Sequence, residues 1–236
     1  MTGPSSSTAL AIEALGRSAL FARVGADTLA TCAASLRVRR YRRGDTIFHQ
    51  GDPGDSLYII ESGAVKIVLP SPEGDEGAII ATLGRGDFFG ELALLDGAPH
   101  SATAIASSPV SALILQQAVF TDLLETQPGL RRALIAGLVA ELRRLTSHVE
   151  DLHFLDLPGR LAAQIVRVAR ERRPGETRDV RLEWRYTQSE LGAMIGGTRQ
   201  TVNRLLADLT AQGLLRIEGE ELVIPDLDAL ERVSER

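Results

Sequence analysis

With a single cysteine, Cys32, in 236 residues, the chain cannot assemble an intramolecular disulfide, a zinc cage or a cysteine-ligated iron–sulfur cluster. Aromatic residues make up only 4%, and no apolar run approaches the roughly eighteen residues that a membrane span requires. The four histidines, His49, His100, His148 and His153, have no metal-ligand spacing, and His148 and His153, five apart, diverge on a helix. Haem ligation by one histidine stays open with nothing in its favour. P-loop, dinucleotide fingerprint and nucleophile–base signature are all missing, so no enzymatic activity is expected. Residues 1–8 are rich in Gly, Pro and Ser and lack a basic n-region, which predicts a disordered tail rather than a signal peptide. A reduced, cytoplasmic protein without membrane contact is the expectation.

The net charge of −5 argues against nonspecific nucleic-acid binding, but its distribution is uneven. Residues 1–156 hold 13 basic and 18 acidic side chains, residues 157–217 hold 11 arginines against 6 acids, and the last 19 return to 2 basic and 7 acidic. A basic block between acidic flanks marks either a partner surface or a set of solvated arginine-rich helices.

Residues 9–35 read as short helices carrying Leu10, Ile12, Leu15, Leu20, Phe21 and Val24. From Leu36 the texture changes to short apolar runs at 46–48, 57–60, 65–69, 78–83 and 110–115, separated by Gly, Pro and Asp. Turn chemistry every eight to twelve residues, as at Asp52-Pro53-Gly54-Asp55, predicts an antiparallel sandwich or jelly roll. The period then changes again. Ile135, Leu138, Leu142, Leu145, Val149 and Leu152 step as heptad a and d positions, and mostly β-branched a with Leu at d suits a parallel two-stranded coil. Leu130, Leu134 and Val139 widen the stripe, so one flank is expected to pack within its own domain. Asp156-Leu157-Pro158-Gly159 interrupts the pattern as a hinge, and Leu161, Ile165, Val166 and Val168 begin a further helix that ends near 173–175.

In the last 60 residues, Thr187-Gln188-Ser189-Glu190 is a capping box. The helix it opens stops at Gly196-Gly197, and Thr198 caps a second with Val202, Leu205, Leu206 and Leu209 on one face. The other face presents Arg199, Gln200, Asn203 and Arg204. Helix, glycine turn, helix is the helix-turn-helix plan, whose second helix enters the major groove, where Arg suits guanine and Gln or Asn suits adenine. The bland alternative is an αα-hairpin with a polar outer face.

Residues 187–209, TQSELGAMIGGTRQTVNRLLADL, resemble the winged helix-turn-helix of the cyclic-AMP receptor protein/FNR superfamily of bacterial transcription regulators, with 214–224 as the wing. FLDLPGRLAAQI (154–165) is similar to that family's hinge and first DNA-domain helix, and GDPGDSLYIIESGAVKI (51–67) and GDFFGELALLDGAPHSATAIA (86–106) to its cyclic-nucleotide-binding jelly roll. The implied fold is α+β: a sensor jelly roll over 9–128, a dimerisation helix over 129–155 bearing the seam, a hinge at 156–159, and a winged helix-turn-helix over 160–236. The implied function is a homodimeric, sequence-specific regulator acting on palindromic double-stranded DNA with RNA polymerase as a partner.

By position, the resemblance gives base reading to Arg199, Gln200 and Arg204, with Asn203 on the same face, and phosphate contact to Thr187 and Thr198. The family more often has Glu where this chain has Gln200, and an amide that also donates changes the preferred half-site. The implied effector pocket involves Phe89, Gly90, Glu91, Leu92, His100 and Ser101, with Leu145 and Thr146 from the long helix. Nucleotide-binding members have an arginine where this chain has His100. The exchange loses a charged hydrogen bond worth about 1.5–3 kcal/mol, with partial recovery on protonation below about pH 6.5. Gly90-Glu91-Leu92 serves equally as a fold-holding turn. Cyclic AMP, another small ligand and no ligand therefore all stay open, as do an effector-independent regulator and, in a different class, a nucleotide-binding subunit acting on a protein partner.

Overall fold

The computed structural model of the chain describes residues 6–22, 24–71, 77–184 and 186–234. The chain divides into two compact units, one built from Met1–Asp75 and Ile79–Leu142 and one mainly from Arg143–Arg236.

The first unit opens with helices α1 (Ser6–Arg17) and α2 (Ala26–Ser35). Ser6, Ser7 and Thr8 are thus helical rather than part of the expected tail, whose first five residues lie outside the described residues. Eight strands follow: β1 (Arg37–Tyr41), β2 (Thr46–Phe48), β3 (Ser56–Ser62), β4 (Val65–Leu69), β5 (Ala78–Leu83), β6 (Phe88–Phe89), β7 (Thr103–Ala106) and β8 (Val110–Gln116). They form two four-stranded sheets, β1-β8-β3-β6 and β2-β7-β4-β5, the jelly-roll arrangement. Helix α3 (Glu91–Asp96) interrupts them after β6, and α4 (Gln117–Thr126) follows β8.

The continuous apolar runs of β3 and β8 have a direct cause. Their sheet is covered on both faces, so both side-chain sets of each strand are buried. Leu57, Ile59, Leu113 and Leu115 face a core shared with α1, α2 and α4, where Phe21 and Phe120 are also enclosed. Tyr58, Ile60, Val110, Ala112 and Ile114 face the interior between the sheets with Phe89, Val65 and Ala104. Strand β1 is different. It lies at the sheet's edge, and Arg37, Val38, Arg39 and Arg40 are all exposed, with Arg42 and Arg43 exposed just beyond it.

Helix α5 (Pro128–Phe154) begins on a proline, whose missing amide hydrogen costs nothing at that position. Leu130 and Leu134 are buried and Leu138 packs partly on the first unit's core. Every a position of the seam is open: Ile135, Leu142 and Val149 are 60%, 64% and 63% exposed. Val139 is also exposed, so it joins the open stripe instead of packing inward as its spacing suggested.

The second unit contains α6 (Leu157–Arg172), β9 (Arg178–Glu183), α7 (Gln188–Ile195), α8 (Arg199–Ala211), β10 (Arg216–Glu218), β11 (Glu221–Asp226) and α9 (Leu227–Ser234). The interruption expected over 156–159 is narrower: only Leu155 and Asp156 are non-helical. Asp156 caps α6 by accepting from the Gly159 amide at 2.9 Å, and Leu157, Pro158 and Gly159 form its first turn. Proline is tolerated there because first-turn amides have no helical partner. The wing is three-stranded, in the order β10-β11-β9. Within the acidic C-terminal stretch, α9 buries Leu227 and Leu230, and its main packing partner is α6. No helix among the described residues is long and apolar enough to cross a membrane.

Candidate nucleic-acid interface

Helices α7 and α8 are placed by local chemistry. Thr187 caps α7: its hydroxyl accepts from the Glu190 amide at 3.1 Å, while Glu190 Oε2 accepts from the Thr187 amide at 2.9 Å. The Thr187 hydroxyl also donates to Glu190 at 3.0 Å. Gly196 ends the helix in the left-handed region at φ 73°, where a side chain would be strained. One turn earlier, a Cβ on Gly192 would stand 2.7 Å from the Gly197 carbonyl oxygen, so the close approach of helix and turn depends on its absence. Thr198 then caps α8, accepting from the Thr201 amide at 3.1 Å.

Val202, Leu205, Leu206 and Leu209 of α8 are buried, as their spacing predicts, which turns the opposite face outward. Arg199, Gln200, Asn203 and Arg204 are all exposed on it. The Asn203 side chain accepts from Gln188 Nε2 at 3.0 Å.

The arginines of the basic block fall into two groups. Arg170 pairs with Glu231, Arg178 with Asp226, and Arg181 with both Glu218 and Glu221. Arg172 donates to the Glu183 carbonyl and lies 5.6 Å from the Tyr186 ring centroid. Much of the block's charge is therefore met by acids of the last 19 residues, and most of it is scaffold. Arg199 and Arg204 have no carboxylate partner among the described residues.

Arg160 was not singled out by its sequence position. Its guanidinium donates to the carbonyls of Leu152 (2.7 Å) and Leu155 (3.0 Å) at the end of α5 and of Ile195 (3.2 Å) at the end of α7. A cation suits the partial negative charge of both helix ends and uses carbonyls that would otherwise lack partners. Arg167 pairs with Asp151 beside it, and burial together with the Arg167 charge holds the His148 imidazole below its ordinary pKa.

In the first unit, Gly90 caps the six-residue α3 at φ 86°, so Glu91 and Leu92 open that helix. The Glu91 carboxyl is raised above its ordinary pKa, chiefly by burial and further by the nearby Glu141. Phe89 is buried in the core between the sheets, stacked on Tyr58 at 5.0 Å. Leu92 is exposed, and the exposed Ser101 accepts at its carbonyl from Gln50. His100 is only 6% exposed and lies flat on Phe48, ring centroids 3.6 Å apart and 6° from parallel. Burial lowers its pKa despite Asp52 and Asp55, so its protonation begins below the ordinary value that sequence alone suggests. Leu145 and Thr146 lie on the second unit's part of α5, Leu145 half-buried and Thr146 exposed.

The fold and the α7–α8 pair define a class: a sensor-type jelly roll joined through a long helix to a winged helix-turn-helix. Residues 38–127 match the cyclic nucleotide-binding domain and residues 159–233 the Crp-like helix-turn-helix domain. The chain is 34% identical over 220 residues to a CRP-like cAMP-activated global transcriptional regulator of Mycobacterium tuberculosis, covering 93% of this chain and 98% of that one. It is 29% identical over 198 residues to the cAMP-activated global transcriptional regulator CRP of Escherichia coli, covering 84% and 93%. Among solved structures, a CooA mutant from Carboxydothermus hydrogenoformans superposes with a TM-score of 0.73 at 25% identity, covering 85% of this chain and 88% of that one. The chain belongs to the CRP/FNR family of DNA-binding transcription regulators.

Proposed function

We propose that this regulator acts as a homodimer on a palindromic duplex, with α8 of each subunit in the major groove of one half-site. One observation carries the reading: the outer face of α8 presents Arg199, Gln200, Asn203 and Arg204 to solvent, with both guanidiniums lacking carboxylate partners among the described residues. Arg199 and Arg204 are suited to guanine edges and Gln200 to a base offering both donor and acceptor. Thr187 and Thr198 stand at the caps of α7 and α8, where a backbone phosphate meets helix amides. The open stripe of Ile135, Leu142 and Val149, with Leu138, Leu145 and Leu152 alongside, supports pairing with a second copy. RNA polymerase is the further protein partner in this reading, and the cytoplasm its place of action.

The jelly roll gates DNA binding through a small effector, with the start of α3 at Gly90–Leu92 offering amide hydrogens to a cyclic phosphate and Glu91 accepting from a ribose hydroxyl. A second reading, regulation without effector, is favoured by His100: an imidazole stacked on Phe48 and neutral at physiological pH offers no cation to a phosphate. Affinity for a selected palindromic site at fixed salt, with and without cyclic AMP and cyclic GMP, separates the two. A tenfold or greater tightening by either nucleotide supports gating. Tight binding that neither nucleotide changes leaves a jelly roll that senses another ligand or serves as a scaffold, and no selective binding throughout leaves either an unmet effector requirement or a wrong reading of the helix-turn-helix.

A further inference from the structure

The second unit begins at Arg143, so the last seam positions, Leu145, Val149 and Leu152, belong to the same compact unit as α8. Val149 and Leu152 are open to solvent there. Arg160 of α6, half-buried, joins the end of this seam to the helix-turn-helix. Its Nη2 and Nε donate to the Leu152 and Leu155 carbonyls where α5 ends, and its Nη1 donates to the Ile195 carbonyl where α7 ends. Ile195 immediately precedes the Gly196-Gly197 turn, and a Cβ on Gly196 would stand 3.5 Å from Nη1 and 3.8 Å from a methyl of Leu152. The end of the seam and the turn that aims α8 therefore meet at one side chain. A second tie runs alongside: Asp151 of α5 pairs with Arg167 of α6, Arg167 donates to Gln164 Oε1 at 3.0 Å, and Gln164 Nε2 lies 3.6 Å from Met194 Sδ of α7.

The consequence concerns spacing, which neither α8 nor the seam decides alone. Two recognition helices on a palindrome must stand one helical turn apart, about 34–36 Å. One added base pair moves the second half-site by about 3.4 Å and turns it by about 35° around the duplex. A dimer discriminates against that change only if α8 keeps a fixed direction relative to the axis relating the two copies of α5. Arg160 bonds directly to the last turn of α5 and to the last turn of α7. Its planar fork holds three carbonyls at set angles, a constraint that an ammonium on a flexible stem does not reproduce.

We infer that Arg160 is a positioning residue that sets the half-site spacing this regulator accepts, by holding the α7–α8 turn against the end of the seam. Its donors face carbonyls and not the outer face of α8, so its part is in distance and angle, not in base identity. The assignment rests on the dimeric DNA-reading role proposed above and deepens it by naming what fixes the separation of the two recognition helices.

Spacing selection tests it, with the full-length chain at fixed salt and parallel arms with and without cyclic AMP. The best half-site is held constant while the base pairs between its two copies are increased or decreased by one and by two, with a lone half-site as reference. The wild type is expected to favour its best spacing over one a base pair off by about a hundredfold, the avidity lost when both half-sites cannot be engaged together. R160A is expected to narrow that ratio to about tenfold or less, with the base preference inside each half-site unchanged. R160K keeps the charge without the fork; it should behave as R160A does, and it carries the test if R160A fails to fold. A general loss of stability weakens all spacings alike, so the ratio between spacings is the readout, and sedimentation must show each variant to be a dimer. A wild-type spacing ratio kept by a folded R160A or R160K, a shift of base preference inside the half-site, or a variant that sediments as a monomer overturns the inference alone. A wild type that binds two half-sites no better than one, at every spacing, removes the dimer reading beneath it as well.

Discussion

At the scale of single residues, charge and burial sort side chains that look alike in the sequence. Arg181 and Arg199 belong to one basic block, yet Arg181 spends its charge on Glu218 and Glu221 while Arg199 keeps its own for a ligand. Arg199→Ala or Arg204→Ala is therefore expected to weaken operator binding by about 1–3 kcal/mol and to relax the base preference at one position per half-site, as titrations against single-base operator variants would reveal. Arg181→Ala should leave the base preference as it was. His100 gives a pH signature. Its native pKa lies below that of the unfolded chain, so between the two values the unfolded state binds the proton first and stability falls as the pH drops. His100→Gln should flatten the slope of unfolding free energy below about pH 6.5, measured by denaturant melts across that range. Glu91, raised by burial, slopes the opposite way at lower pH and is unchanged in the comparison. The exchange of Arg for His was legible from the Gly90-Glu91-Leu92 motif and its spacing; the ring stacked on Phe48 was not, because that contact spans 52 positions and the register of β2 on β7.

At the scale of elements, short-range chemistry was readable and long-range coverage was not. The runs at 46–48, 65–69 and 78–83 coincide with β2, β4 and β5, and both helix caps at Thr187 and Thr198 are as their residue types predict. Strands β1 and β9 escaped notice because each is rich in arginine and mostly exposed, leaving no apolar run to count. Helix α9 hid in an acidic stretch whose two buried leucines, Leu227 and Leu230, sit only three positions apart. Arg160 carried no local signal at all, since the carbonyls it meets belong to the ends of other helices. Where α7 meets the glycine turn, one atom decides. Gly192→Ala would set a methyl 2.7 Å from the Gly197 oxygen and force α7 away from the turn. The expected loss is about 1–3 kcal/mol of stability in the second unit, seen by thermal melting, with weaker operator binding because α8 no longer holds its angle.

At the scale of the whole molecule, the exposed stripe on α5 would, in the proposed dimer, set the functional concentration. A helix face with Ile135, Leu142 and Val149 bare to water is a poor end state for a single chain. Leu142→Glu is expected to place a carboxylate in the seam and yield a monomer by sedimentation, still folded, with operator affinity falling toward that of one half-site. The edge strand β1 has the opposite character. Any sheet edge offers a row of backbone amides and carbonyls to a passing strand. Arg37, Arg39 and Arg40, with Arg42 and Arg43 just beyond, make that edge repel its own copies. In the proposed dimer, self-association would be confined to one place: hydrophobic where two chains should meet, cationic where strands could otherwise add without limit. Replacing Arg37, Arg39 and Arg40 by threonine should leave the dimer intact while light scattering shows slow growth of larger aggregates, an open-ended polymer in place of a closed pair.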